Sequence, residues 1–169
     1  MKTFFTSDTF FGRKLAAVDR GFSSCEEMDD ILIDNWNDTI GPNDLVYHLG
    51  NFAWDPISAE SAIVHLHGRI HFIGGSYDQH MSEISLIKTG RHFLLPAISY
   101  LPKDMLVLSH WPLLDWPERE NGSIHLHGGK TKTNLDKALR FNVSTEQWSM
   151  KPVDVDTIKD IIDSHKNQY

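Results

Sequence analysis

Five short loops, each placed directly after an apolar run, constrain this chain more than any other feature. They are SDTFFG at 7 to 12, the end of YHLGNFAW at 47 to 54, GGSYD at 74 to 78, LSHWP at 108 to 112 and HLHGGKT at 125 to 131. The runs before them, TFFTS, LVYHL, IHFI, MLVLS and IHLH, are the length of buried strands and carry the aromatic and branched residues that strands favour. A chain that repeatedly ends a strand in a loop of Gly, Asn, Asp and His is building an α/β scaffold with its binding groups at one end of the strands.

The segments between these loops supply helices. Ser24 followed by Glu27 is a capping box, and Met28, Ile31 and Leu32 recur at helical spacing behind it. Residues 58 to 66 predict a helix with Ala62, Ile63 and Leu66 inward, and a last helix is expected from about Asp156, with Ile158, Ile161 and Ile162 on one face. A strand is expected at 140 to 143. The stretch from 8 to 23 reads as a polar loop. Without repeats, linkers or low-complexity tracts, one domain over residues 1–169 is expected.

In order and spacing the five segments resemble the calcineurin-like metallophosphoesterases, in particular their small single-domain bacterial and phage type. That pattern runs SDxHFGH, YHLGDF, GNHD, SHxP and HLHGHxH, and the resemblance spans about residues 3 to 163. It implies a two-sheet β-sandwich flanked by helices. It also implies two divalent cations about 3.5 to 4 Å apart, activating a water and neutralising a phosphoryl group.

Carried over position by position, the resemblance assigns seven metal-ligand positions, of which Asp8 and His110 stand and five are changed. Phe10 replaces a His, Asn51 the bridging Asp, Ser76 an Asn, and Gly129 and Thr131 two more His. The neighbouring catalytic His position is Tyr77. The Phe10 side chain offers no lone pair, and Gly129 has no side chain to offer one. With one carboxylate left, two dications about 4 Å apart would repel by about 16 kcal/mol even at an effective dielectric of 20. A dinuclear centre, and with it the catalysis, is therefore not expected. The weak candidates for a single cation such as Mn2+ are Asp8 and His110 with Asn51, and His125 and His127 offer an HxH pair as a rescue.

The replacing residues bring their own chemistry. Arg13, Lys130 and Lys132 would place positive charge around the vacated position, where they could hold a phosphate without metal. Alternatively Phe10 and Tyr77 fill it. Gly50, Gly74, Gly75, Gly128 and Gly129 are read mainly as residues that let the chain turn. Trp111, Trp116 and Trp148 are read mainly as packing, and as a partner-binding patch if exposed together.

Composition sets outer limits. A chain of 169 residues, 40% of them hydrophobic, fills a single core. The lone Cys25 forms no internal disulfide and fits a cytoplasmic setting. No apolar run approaches the roughly 18 residues of a membrane span. With 23 acidic against 16 basic residues, a net charge of -7 disfavours general binding to nucleic acid. The expectation is a pseudoenzyme without cofactor that acts through a protein partner as regulator or inhibitor. The alternatives are a metal-free binder of a phosphorylated small molecule or nucleotide, and a weak mononuclear phosphodiesterase.

Overall fold

The computed structural model of the protein describes residues 1–88, 90–130 and 139–166. In chain order the elements are β1 (Thr3–Thr6), α1 (Lys14–Asp19), α2 (Cys25–Thr39), β2 (Leu45–His48), α3 (Pro56–Ile63), β3 (Arg69–Ile73), α4 (Ser85–Lys88), β4 (Phe93–Leu95), β5 (Ile98–Leu101), β6 (Leu106–Ser109), β7 (Ile124–His127), β8 (Arg140–Asn142), β9 (Val153–Asp154) and α5 (Val155–Lys166). The strands form two mixed sheets, ordered β4-β3-β2-β1-β9 and β5-β6-β7-β8. Within the first, β1 to β4 run parallel and β9 antiparallel, while β5 is the antiparallel strand of the second.

Period-two alternation divides the core between two layers. Phe4, Val46, Ile70 and Phe72 face the helices and pack with Met28, Leu32 and Trp36 of α2 and Ala59, Ala62 and Ile63 of α3. Their strand neighbours Phe5, Tyr47, Leu49 and Ile73 face the second sheet and meet Leu108, Leu126, Phe141 and Val143, with Ile158 and Ile162 of α5 joining them. Phe5, Leu49, Leu108, Leu126 and Phe141 are all fully buried. Each contributes about 1.5 to 3 kcal/mol by leaving water.

Several local expectations hold and several need correction. Ser24 caps α2 by accepting from Glu27 N at 3.1 Å, and the Glu27 carboxylate accepts chiefly from Ser23, with a weaker contact back to the Ser24 N–H. Ile31 is exposed, because the buried stripe of α2 runs through Met28, Leu32 and Trp36 at four-residue spacing and Ile31 lies to its side. α3 begins earlier than residue 58, at Pro56, where Asp55 accepts from Ser58 N at 2.8 Å and the proline ring presets the first turn. The stretch from 8 to 23 contains α1, whose buried Ala16 and Ala17 are too small to show a periodicity in sequence. Among the described residues no helix is long and apolar enough to cross a membrane.

Candidate functional site

All five loops follow strands of the two sheets, and they bring Asp8, Asn51 and His110 into direct contact. Asp8 follows β1, Asn51 follows β2 and His110 follows β6. The Asn51 amide donates one hydrogen to Asp8 Oδ1 at 2.8 Å and faces His110 Nε2 with the other at 3.2 Å. On the far side of the imidazole, Nδ1–H donates to the Leu49 carbonyl at 2.7 Å, which leaves Nε2 as the acceptor for Asn51. Asp8 Oδ2 accepts from the Ser7 hydroxyl at 2.6 Å and from Gly129 N at 2.7 Å, while Asn51 Oδ1 accepts from Tyr77 N at 3.3 Å. Together with these neighbours the three side chains are hydrogen-bonded at every polar atom, and they are only 4%, 6% and 4% exposed.

The backbone is shaped to permit this approach. Asp8, Phe10 and Asn51 all adopt positive φ, at 59°, 54° and 57°. Such strain persists only where surrounding contacts fix it. For the first loop the fixing group is Arg20, whose guanidinium donates to the carbonyls of Asp8 and Thr9 and pairs with Glu146. For the second it is Asp78, which accepts from the backbone N–H of Asn51, of Phe52 at 2.9 Å and of Gly75 at 2.7 Å. Gly50 and Gly128 are more than turn residues. A Cβ on Gly50 would lie 2.6 Å from His110 Nδ1, and one on Gly128 would lie 2.6 Å from Ser7 Oγ and 2.9 Å from Asp8 Oδ2.

Burial pushes the Asp8 carboxyl above its ordinary range, against the hydrogen bonds from Ser7, Gly129 and Asn51 and the His110 ring. His48, fully enclosed behind the second loop, is pushed down to about 3 by burial and then by His110. Its Nε2–H is committed to the Thr9 hydroxyl at 3.0 Å, since that hydroxyl itself donates to the Phe52 carbonyl.

The remaining positions fall around this triad. Phe10 is buried, and Tyr77 stands edge-on to it at 5.8 Å between ring centroids. The Arg13 guanidinium lies 4.6 Å from the centre of the Phe10 ring, 4.5 Å from that of Tyr77 and 5.2 Å from that of Trp54. Ser76 is exposed. His125 is held on the outer side of β7, its Nδ1–H donating to the Val107 carbonyl at 3.1 Å and its Nε2 accepting from Leu113 N at 3.0 Å. Burial pushes it down to about 4. His127 stays buried on the same strand, 5.4 Å from His125 between ring centroids. The His127 Nδ1–H donates to the Gly128 carbonyl at 2.9 Å. Thr131 and Lys132 lie outside the described residues. Among the described residues no cluster of three or more His, Cys, Asp or Glu is arranged to hold a metal.

Beside the triad, Phe10, Arg13, Arg20, Lys130, Glu146 and Gln147 line a cleft of 280 Å³. Trp54 and Trp111, each 48% exposed, and Tyr77, 36% exposed, stand on the same loops as an aromatic rim. Trp116, by contrast, is buried against Ser123, and Trp148 packs on Phe141. Sequence reasoning missed Arg20, Asp78 and Trp54. The GGSYD segment pointed to Asp78 only through its neighbours, and Arg20 lies in the stretch read as loop.

No protein-family model matches the chain. It is 30% identical over 177 aligned positions to the uncharacterized protein MJ1445 of Methanocaldococcus jannaschii, covering 98% of this chain and 93% of that protein. The chain belongs to the family of that archaeal protein. Its fold is similar to the crystal structure of a protein of unknown function, AQ665 from Aquifex aeolicus, with a TM-score of 0.71 over 95% of this chain and 98% of that one. At 20% identity this second likeness speaks for the fold alone.

Proposed function

We propose that this protein has a metallophosphoesterase-type fold whose metal centre has been replaced by a closed hydrogen-bond triad, and that it works by binding instead of catalysis. The observation that carries this reading is the Asn51 amide, which donates to Asp8 and faces His110 at once. A carboxylate in its place would repel Asp8 and call for a cation between them. An amide satisfies both neighbours without one. Phe10, buried where the resemblance places a second ligand, acts in the same direction.

The partner in this reading is another protein, met by the rim of Trp54, Tyr77 and Trp111 as regulator or inhibitor. Large aromatic side chains that are partly exposed and already held by neighbours make interface anchors. A second reading has one specific observation in its favour. Arg13 and Lys130 line the 280 Å³ cleft, which gives a phosphorylated small molecule two cations without a metal.

The test is metal content after dialysis against Mn2+, measured together with hydrolysis of bis(p-nitrophenyl) phosphate. No stoichiometric metal and no turnover is the expected result. Near-stoichiometric metal with turnover lost in His110→Ala would overturn the proposal and establish a mononuclear phosphodiesterase.

A further inference from the structure

At the opposite ends of the strands lies a second cleft, of 400 Å³, that the triad and its loops do not touch. Its wall is formed where β2 and β3 begin and just before β4, so that Arg69, His71 and Arg91 share it. Both arginines are exposed at its mouth, while the His71 ring is half-buried, edge-on between Tyr47 and Phe93 at 5.3 Å from each. These three aromatic residues are register partners across β2, β3 and β4, which fixes the imidazole in place.

The charges around this cleft are unbalanced. Among the described residues neither Arg69 nor Arg91 takes part in an ion pair. The carboxylate that lines the cleft, Asp44, has both oxygens committed, one to Lys2 N at 2.7 Å and the other to Gly41 N at 3.0 Å. The cations also feel one another. After burial, the neighbouring Arg69 lowers His71, and Arg91, Arg69 and His71 all lower the adjacent His92. Asp44 keeps its negative charge, but the N-terminal ammonium and Lys2 beside it offset that charge, so the two exposed guanidinium groups, unpaired among the described residues, are a place where an anion lowers the energy.

We propose that this cleft binds a phosphorylated small molecule, its phosphate engaged by the Arg69 and Arg91 guanidinium groups and by the His71 ring. Planar guanidinium donors suit phosphate oxygens, and the volume lies within the range of about 300 to 1,000 Å³ common for small-molecule sites. The phosphate fills only part of it, so Leu45 and Pro42 are left to contact the organic portion. This site is independent of the triad and of the Arg13 cleft, and it stands or falls apart from the function proposed above.

The experiment is an NMR titration of the His71 imidazole in the full chain with inorganic phosphate and, separately, ribose 5-phosphate. A saturable shift is expected at millimolar ligand or below, the organic ester binding more tightly, with the His71 titration moved to higher pH by the bound anion. Arg69→Gln combined with Arg91→Gln is expected to weaken binding by about tenfold or more, with the melting temperature showing that the variant is folded. Arg13→Gln should leave the His71 response intact. No saturable response to either probe, an equal response to NaCl at matched ionic strength, or a response insensitive to the double substitution would each overturn the proposal. Loss of the response in Arg13→Gln would do so as well, by assigning the anion to the other cleft.

Discussion

Asn51 donates its side-chain amide to Asp8 at 2.8 Å although the two residues stand 43 positions apart in the chain. Both are buried and both carry positive φ, so each loop holds the other in a conformation that neither would adopt alone. The contact makes the site self-sufficient, and its chemistry rests on the difference between an amide and a carboxylate at one position.

Asn51→Asp tests that difference directly. It removes the donor to Asp8 and sets a second carboxylate beside a carboxyl that burial already pushes upward. Urea unfolding in EDTA is expected to show a loss of about 2 to 4 kcal/mol. Mn2+ should restore part of it, because a cation then does what the amide hydrogen did. Equal stability of variant and parent in EDTA would mean that the triad contributes nothing.

Phe10 and Arg13 should be energetically coupled. Phe10→Ala is expected to lose about 3 kcal/mol or more, as for other buried aromatic truncations. Part of that loss is the ring under the Arg13 guanidinium, 4.6 Å from its centre. A double-mutant cycle with Arg13→Ala, read by urea unfolding, should return a coupling of about 0.5 to 1 kcal/mol. Strict additivity would show that the aromatic clasp is geometric only.

How much of this was legible in the sequence depends on the range of the interaction concerned. Strand positions and the loops after them could be read from residues 45 to 49 or 124 to 127, because alternation and turn residues are local signals. The contact between Asp8, Asn51 and His110 followed from the resemblance alone, and the closing of the triad by the Asn51 amide did not, since it depends on distances across three loops. α1 was missed because its buried face is two alanines, and the short edge strands β4 and β5 because exposed Phe93, Leu94 and Ile98 give them no alternation. The cleft of Arg69 and Arg91 had no signature at all. Those residues are 22 apart and meet only because β3 and β4 are paired.

Acid should destabilise the protein well above the range in which ordinary carboxylates titrate. His48 titrates at about 3 in the folded chain, and His92 and His125 at about 4, against 6.5 when unfolded. As pH falls below 6.5 the unfolded chain binds these protons and the folded chain does not, so stability is lost down to about pH 4. Each such proton contributes a slope of up to about 1.4 kcal/mol per pH unit. Asp29 works in the opposite sense. Burial raises it from 3.8 to about 6, so the folded chain binds its proton first and gains stability between those values, in an amount reduced by solvent around this half-buried group. His71, lowered by burial, acts with the three histidines, and Asp8, raised by burial, acts with Asp29, so four groups against two leave a net loss. Urea unfolding at pH 7, 6 and 5 should show it, and His125→Gln should flatten the slope by the share of one proton.

Asp78 is predicted to be the most sensitive polar position near the site, although it reaches Asn51 only at the backbone N–H. Its two oxygens accept from three backbone N–H groups, on Asn51, Phe52 and Gly75, which join the second and third loops. Asp78→Asn keeps one oxygen but turns an amide N–H toward donors it cannot satisfy, and Asp78→Ala leaves all three without a partner. Either change is expected to lose about 3 kcal/mol or more. Asp115→Asn provides the contrast. It removes a carboxylate that is 86% exposed and lies 3.7 Å from Arg119 on the surface, and is expected to change stability by less than about 0.5 kcal/mol. Because Asp78 positions Asn51 N–H, its loss should also move the His110 imidazole resonances, which Asp115→Asn should leave in place. Unchanged His110 resonances in a folded Asp78→Asn variant would show that the triad keeps its geometry without the loop that Asp78 ties down, and that Asp8 and His110 alone hold Asn51.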